Sequence, residues 1–531
     1  MSRQQFGSAN NSTKVLSFQK SGATASFDPT IAFSSGSKRV SWRLDNGSGI
    51  KQIAGNSIIY TGFTGDSNLR TLEIRGNSFK NINQFNLNDE NLYGNLNLSP
   101  IPNIGGVIRM EDNPLLTGIT HSPSTSIISF YYAYNCNLTG NLDLTSLSGL
   151  GGFVRLQSNP NLTGVTHTPT TNNFNQYSVN DCNLIGDLNL TSLSGLGGNF
   201  NASSNTNLTG ITHAPSTNSF NAYMSYSCNL TGNLDLSMLS GLGGQFYVHF
   251  NSNLTGITHT YSPNTFTSYY AFNCDLRNNL NLNMLPGLGG NFNISSNINL
   301  TGVTHTASTN TFSSYSVGAC NLIGNHDFSM LQNMGGEVNT SSNPLLTGIT
   351  FTSASTEDLN FMYINQCNIQ GTLDLTPFNG FGSTYSGSSS IVKINGNSGL
   401  TNVIFPLSDG FYFSNIVNNA PNAAFCMNSC SLGYVDFKPL SGGTLISGGT
   451  GGIPRFELFG NAMTTADVNH TLYDLDLIST INYSGWTATS GTTGARLDIT
   501  ANSAPDGSSG GYNGTASTLS LASKGWTIFT D

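Results

Sequence analysis

The sequence predicts a mainly β solenoid of about sixteen coils, with a small N-terminal β domain before it and a few helices near the C-terminus. Three observations predict it. Cys136, Cys182, Cys228, Cys274 and Cys320 recur every 46 residues, and Cys367 follows after 47. His121, His167, His213, His259 and His305 keep the same interval, as do the glycine pairs ending at Gly106, Gly152, Gly198, Gly244, Gly290 and Gly336. Charged residues make up only 8% of the 531-residue chain, with 60 glycines, against roughly 25% charge in an ordinary soluble domain. A fixed period of this length marks stacked repeats, each unable to bury its apolar side alone. Disordered chains combine low hydrophobicity with high charge. Here 37% of residues are hydrophobic and the charge is missing, so the chain folds behind a surface of amides and hydroxyls.

Residues 1–78 lack the repeat and form the N-terminal β domain, an attachment module and N-terminal cap. They hold β-like runs at 15–18, 40–43, 58–60 and 69–74, with a turn at Asp45-Asn-Gly47. Residues 79–461 form the solenoid. Each 46-residue block divides into two halves, exemplified by FNAYMSYSCNL at 220–230 and FNISSNINL at 292–300. Both resemble the leucine-rich-repeat pattern, with Phe and Tyr replacing some leucines and Asn or Cys at the turn. The resemblance runs from about residue 82 to the end of the chain, and it implies a right-handed leucine-rich-repeat-like solenoid.

The physics of the pattern is local. Tyr223 and Ser225 alternate with Met224 and Tyr226, a period of two that makes a short strand with one face in and one out. The Asn or Cys turns the chain. Leu230, Leu234 and Leu236 fill the core behind it, and the glycine pair permits a bend where a side chain would clash. Glu90 lies one period before Cys136 and is expected to be solvated at the N-terminal end of the array. The register continues at Asn397, Cys430, Asn461 and Asn502. In 462–531, the C-terminal coils with capping helices, TTAD at 464–467 matches a capping box before an apolar run to Ile478. A second helix is expected over 516–524, and strands over 496–500 and 526–529. The helices are expected on the convex side of the last coils, closing the core.

Two coils span about 9–10 Å, beyond the roughly 7 Å that a disulfide allows between Cα atoms. The six periodic cysteines are therefore read as buried, reduced turn residues. Cys430 is a turn residue too, and Cys426 is its outward-facing neighbour on the strand. The same spacing keeps two neighbouring histidines from sharing one metal ion, so the histidines are expected to be structural, bonded to backbone or facing solvent. No metal and no cofactor are expected.

Catalysis finds no support. The common catalytic motifs are absent, and Asp143, Asp235 and Asp374 recur because the repeat recurs. The outward strand positions form the concave face, the usual contact surface of a solenoid. They include Tyr132, Tyr134, Arg155, Gln157, Met224, Tyr226, Tyr247, His249, Tyr270 and Phe272. These aromatics alternate away from the core. The cluster over 226–272 is the best candidate binding face, because Tyr and Phe give large contact area at low entropic cost.

Eighteen Lys and Arg against 27 Asp and Glu give a net charge of −9. That argues against nucleic acid and anionic membranes, which attract basic patches. No stretch approaches 18 apolar residues, so no membrane insertion is expected. Residues 1–14 lack the apolar segment of a secretory signal. The run VSWRLDNGSGIKQIAGNSIIYTGF, followed by LRTLEI, resembles a PKD-type immunoglobulin-like sandwich. The NLTG and GLGG coils and the ending LDITANSAPDGSSGGYNGTASTLSLASKGWTIF resemble proteins encoded by phages and prophages of Bacteroidota. That resemblance implies a bacteriophage virion protein of the tail or head fibre type, made in the host cytoplasm. Its N-terminal domain would hold other virion proteins, and its concave face would meet host surface glycan or protein. The alternatives are a leucine-rich-repeat adhesin or scaffold at the bacterial cell surface, a glycan depolymerase, and a purely structural subunit.

Overall fold

A computed structural model describes residues 14–21, 30–33, 40–44, 51–53, 69–76, 82–351, 359–378, 391–406, 425–439, 455–481 and 496–531. The chain divides into two compact units, Met1–Leu242 and Gly243–Asp531.

In the first unit each coil opens with a short strand, and these strands stack in parallel from Ile82–Asn86 through Gly106–Arg109 and Ile128–Tyr132 to Phe220–Met224. The register places Phe85, Ile108, Tyr131, Val154, Tyr177, Phe200 and Tyr223 side by side. All seven are fully buried, so the inward file of this ladder is the core. After the turn residue each coil carries a second strand on its back. These pair in twos: Leu92–Asn97 with Leu115–Thr120, and Thr139–Leu144 with Asn161–His167. The LTGIT-type stretches are therefore strands, with Leu and Ile turned inward by the same period of two.

The N-terminal residues finish both edges of the first coil. Lys14–Ser21, Val40–Leu44, Lys51–Ile53 and Leu69–Gly76 form an antiparallel sheet. Lys14–Ser21 also pairs antiparallel with Leu92–Asn97 on the back, and Thr30–Phe33 pairs antiparallel with Ile82–Asn86 on the front. An open parallel edge is a template for aggregation, and here both edges receive a partner. The expected runs at 15–18, 40–43 and 69–74 lie in these strands. The run at 58–60 and the turn at 45–47 lie outside the described residues. Glu90 departs from expectation: it is only 5% exposed, because the capped end is not a solvated end.

The second unit continues the same plan. Eleven parallel strands run among its described residues, from Gly244–Tyr247 and Phe266–Tyr270 to Arg496–Asp498 and Thr527–Phe529. The first unit has seven among its described residues. The coil count thus differs slightly from that expected. Aromatic rings fill the inward file, with centroids 4.7 Å apart for Phe246 and Tyr269 and 4.6 Å for Phe292 and Tyr315.

Helices replace the back strands near the C-terminus. Helix α1 spans Thr465–Ile481 and α2 spans Gly514–Ser523. The capping box forms: Asp467 N–H donates to Thr464 Oγ1 at 3.3 Å, and Thr464 N–H donates to Asp467 Oδ2 at 3.0 Å. Val468, Leu472 and Leu475 of α1 are buried.

Candidate functional site

The turn column shows why Asn and Cys alternate. Asn159 is fully buried; its Oδ1 accepts from Leu138 N–H at 3.0 Å, and its Nδ2 donates to Ala133 and Leu156 carbonyls at 2.8 and 2.7 Å. One amide thus joins neighbouring coils as both donor and acceptor. The thiol of Cys182 only donates, to Leu156 O at 3.4 Å and Asn180 O at 3.5 Å. In that coil the backbone takes over, with Asn183 N–H donating to Leu162 O at 3.0 Å. All eight cysteines are free and buried. Burial pushes the thiols of Cys136, Cys182 and Cys274 up to about 12. Cys426 holds the outward register opposite Lys393, yet it is buried with Cys430. It does not face solvent as the alternation implied.

The five periodic histidines bond to tyrosine and not to backbone. Each Nε2 meets the hydroxyl of the tyrosine ten residues later: His121 with Tyr131, His167 with Tyr177, His213 with Tyr223, His259 with Tyr269 and His305 with Tyr315, at 2.7–3.0 Å. Burial holds the first four imidazoles down at about 4, so the rings are neutral near pH 7. The Tyr column at the same 46-residue period was the signal in the sequence; the pairing across the core was not. No group of three or more His, Cys, Asp or Glu that could hold a metal occurs among the described residues.

Behind the first unit a groove of about 520 Å³ is lined by Asn95, Thr117, His121, Asn141 and Asp143. Three of its polar side chains already have partners: Asn95 and Asn141 donate to Thr120 and Thr166 at 3.1 Å, and Asp143 accepts from Thr145 N–H and Oγ1. The same turn forms at Asp374 with Thr376. These aspartates hold turns.

The outward face of the front ladder carries the predicted binding residues. Tyr132, Tyr134, Arg155, Met224 and Tyr226 in the first unit are all half-buried. Arg109 and Arg155 stand 5.7 and 5.0 Å from the Tyr132 ring centre, within cation–π range. Arg109 is neutralised by Glu111. Arg155 donates through Nε to the amide oxygen of Gln176 at 2.8 Å and has no acidic partner among the described residues. Phe130 and Phe153 stack beside them, 5.2 Å apart and nearly parallel.

The second unit brings together the other half of the predicted set. Tyr247 stacks on Tyr270 at 4.9 Å and His249 on Phe272 at 4.5 Å, each pair tilted by 13°. Burial pushes the His249 imidazole below its ordinary value, so it too is neutral. Sequence reasoning missed Phe250. It occupies the left-handed turn position with φ of 57°. Every other non-glycine residue with positive φ among the described residues is Asp, Asn, Ser, Ala or Gln. A bulky side chain there costs about 1–3 kcal/mol. The Phe250 ring is 50% exposed and stands edge-on to Phe272 at 5.1 Å and 77°. Its signal was one aromatic in a column otherwise of Asp, Asn, Ser, Ala and Gln.

The C-terminal cluster is of another kind. His470 is sandwiched between Tyr434 at 3.7 Å and Tyr512 at 3.9 Å. The buried Asp474 carboxylate accepts from the Tyr434 hydroxyl and pairs with Lys438 at 3.4 Å. Burial pushes the Asp474 carboxyl up. These contacts fasten α1 to the back of the coil at 425–439.

No protein-family model, no curated protein and no solved structure matches the chain.

Proposed function

We propose that this chain is a structural and adhesion protein of a bacteriophage virion, of the tail or head fibre type. In this reading its coils are a leucine-rich-repeat variant, and the outward face of the front ladder binds host surface glycan or protein. The single observation that supports it most is the set of half-buried rings on that face, above all Tyr247 on Tyr270 and His249 on Phe272. The core does not account for them, because a separate inward file of Phe and Tyr fills it. Aromatic side chains with amide neighbours are the composition of a contact surface. The residues before the solenoid, with their PKD-like resemblance, serve as the attachment module to other virion proteins. The protein acts as a binder and not as an enzyme.

The test is mass spectrometry on density-purified particles and on cell envelopes from the same culture. The expected result is this chain in particles at fixed stoichiometry. Recovery from envelopes alone would overturn the virion assignment and favour a cell-surface adhesin.

A further inference from the structure

We infer that Tyr247, His249, Phe250, Tyr270 and Phe272 form a platform for a neutral polysaccharide, with Phe250 as the specificity-determining residue. The inference rests on the reading of the front ladder as the contact face, and it names the ligand class.

Four features converge. First, the Tyr247–Tyr270 and His249–Phe272 pairs are each stacked nearly parallel, whereas Phe250 is turned across the second pair, by 64° to His249 and 77° to Phe272. One aromatic ring thus lies crosswise and half open, suited to the C–H face of a sugar. Second, the Tyr247 and Tyr270 hydroxyls make no hydrogen bond among the described residues, and both side chains are half-buried. They are free to meet sugar hydroxyls beside that ring. Third, the neighbouring outward positions are Gln245, Asn291, Asn293 and Ser314, so amides and a hydroxyl surround the rings. None of these positions carries a formal charge, and His249 is neutral. An acidic ligand would find no cation here, unlike at Arg155 in the first unit. Fourth, Phe250 holds a backbone conformation that bulky residues avoid. Ser and Asn hold the same turn position elsewhere, at Asn273 and Ser296. The fold therefore tolerates strain to keep a ring at this place, as functional sites do. Strands repeat at about 4.8 Å along an open face, which suits an extended chain of sugars better than a compact metabolite.

The experiment is affinity electrophoresis of the full chain in native gels containing dextran, mannan or xylan, with alginate as the acidic comparator and a plain gel as reference. The expected result is retardation in at least one neutral gel, weakened at least tenfold in Phe250→Ser. The same variant should melt at the same or a higher temperature, because the strain is relieved. A residue that merely supported the fold would lower both readouts. Phe250→Asn is the second variant and should behave alike. Unchanged migration in all three neutral gels overturns the inference, as does a Phe250→Ser protein retarded as strongly as wild type. Retardation in alginate alone, lost in Arg155→Gln, overturns the neutral ligand while leaving the contact face intact. Retardation that survives both substitutions removes both readings.

Discussion

His121 Nε2 lies 2.8 Å from the hydroxyl of Tyr131, ten residues later and across the core. The pair is repeated at every double coil through His305 and Tyr315. Histidine is the side chain closest to changing charge near neutrality, and this fold buries it in the neutral form. The unfolded chain takes up a proton near pH 6.5, whereas the folded histidine refuses it until about 4. Stability is therefore full above pH 6.5 and falls between 6.5 and 4, by about 3 kcal/mol per histidine at the limit. Urea midpoints should drop between pH 7.5 and pH 5, and His167→Gln should drop less. An equal drop in that variant would refute the assignment.

The turn column predicts a large cost for a small change. Asn159→Ala removes three hydrogen bonds; it leaves Leu138 N–H and the Ala133 carbonyl unsatisfied in the interior and the Leu156 carbonyl with only the weak Cys182 thiol. The expected loss is about 2–4 kcal/mol, read as a lower urea midpoint. Asn161→Ala, at an exposed position two residues away, should change stability by about 0.5 kcal/mol or less.

Two glycines with similar backbones should respond differently. Gly152 has φ of +60°, and a Cβ there would sit 2.2 Å from Ser129 O. Gly140 has φ of +67° with no atom within 4 Å of its Cβ site. Gly140→Ala should cost about 1 kcal/mol from conformation alone. Gly152→Ala should cost well over twice that, because the Ser129 carbonyl is fixed in the ladder. Thermal melts of the pair decide it, and equal losses would show that the clash is relaxed away.

The thiols should be inert in the fold. All eight cysteines are free and buried, and the thiolate, not the thiol, is the nucleophile. Iodoacetamide at pH 8 should label fewer than one thiol per native chain, and all eight in urea. Rapid native labelling at Cys426 would show that its outward register opens to solvent.

The contact face predicts a separation of binding from stability. Alanine at Tyr226, Tyr247 and Tyr270 together should abolish retention on purified host cells and lower the melting temperature by only a few degrees, since all three are half-buried on the outward side. Unchanged retention would mean that the rings are only a strand ladder.

Residue order alone carries the period, the alternation of inward and outward residues and the turn column. It also determined the capping box at Thr464 and Asp467 and the outward rings from Tyr132 to Phe272. These are local consequences of residue order: a repeated pattern imposes a repeated backbone, and period two fixes which face each side chain takes. The paired strands on the back, the partner of each histidine, the burial of Glu90 and Cys426 and the strained ring of Phe250 were decided only by the tertiary structure. Each depends on which side chain arrives beside it from another coil or from the N-terminal strands. His121 and Tyr131 stand in separate columns of the repeat, and only the closing of the coil around the core sets them 2.8 Å apart. Glu90 reads as an end residue until Thr30–Phe33 and Lys14–Ser21 pair with the two edges of its coil. Distance across a core is a property of packing, and the order of residues carries it only where a repeat makes the packing periodic.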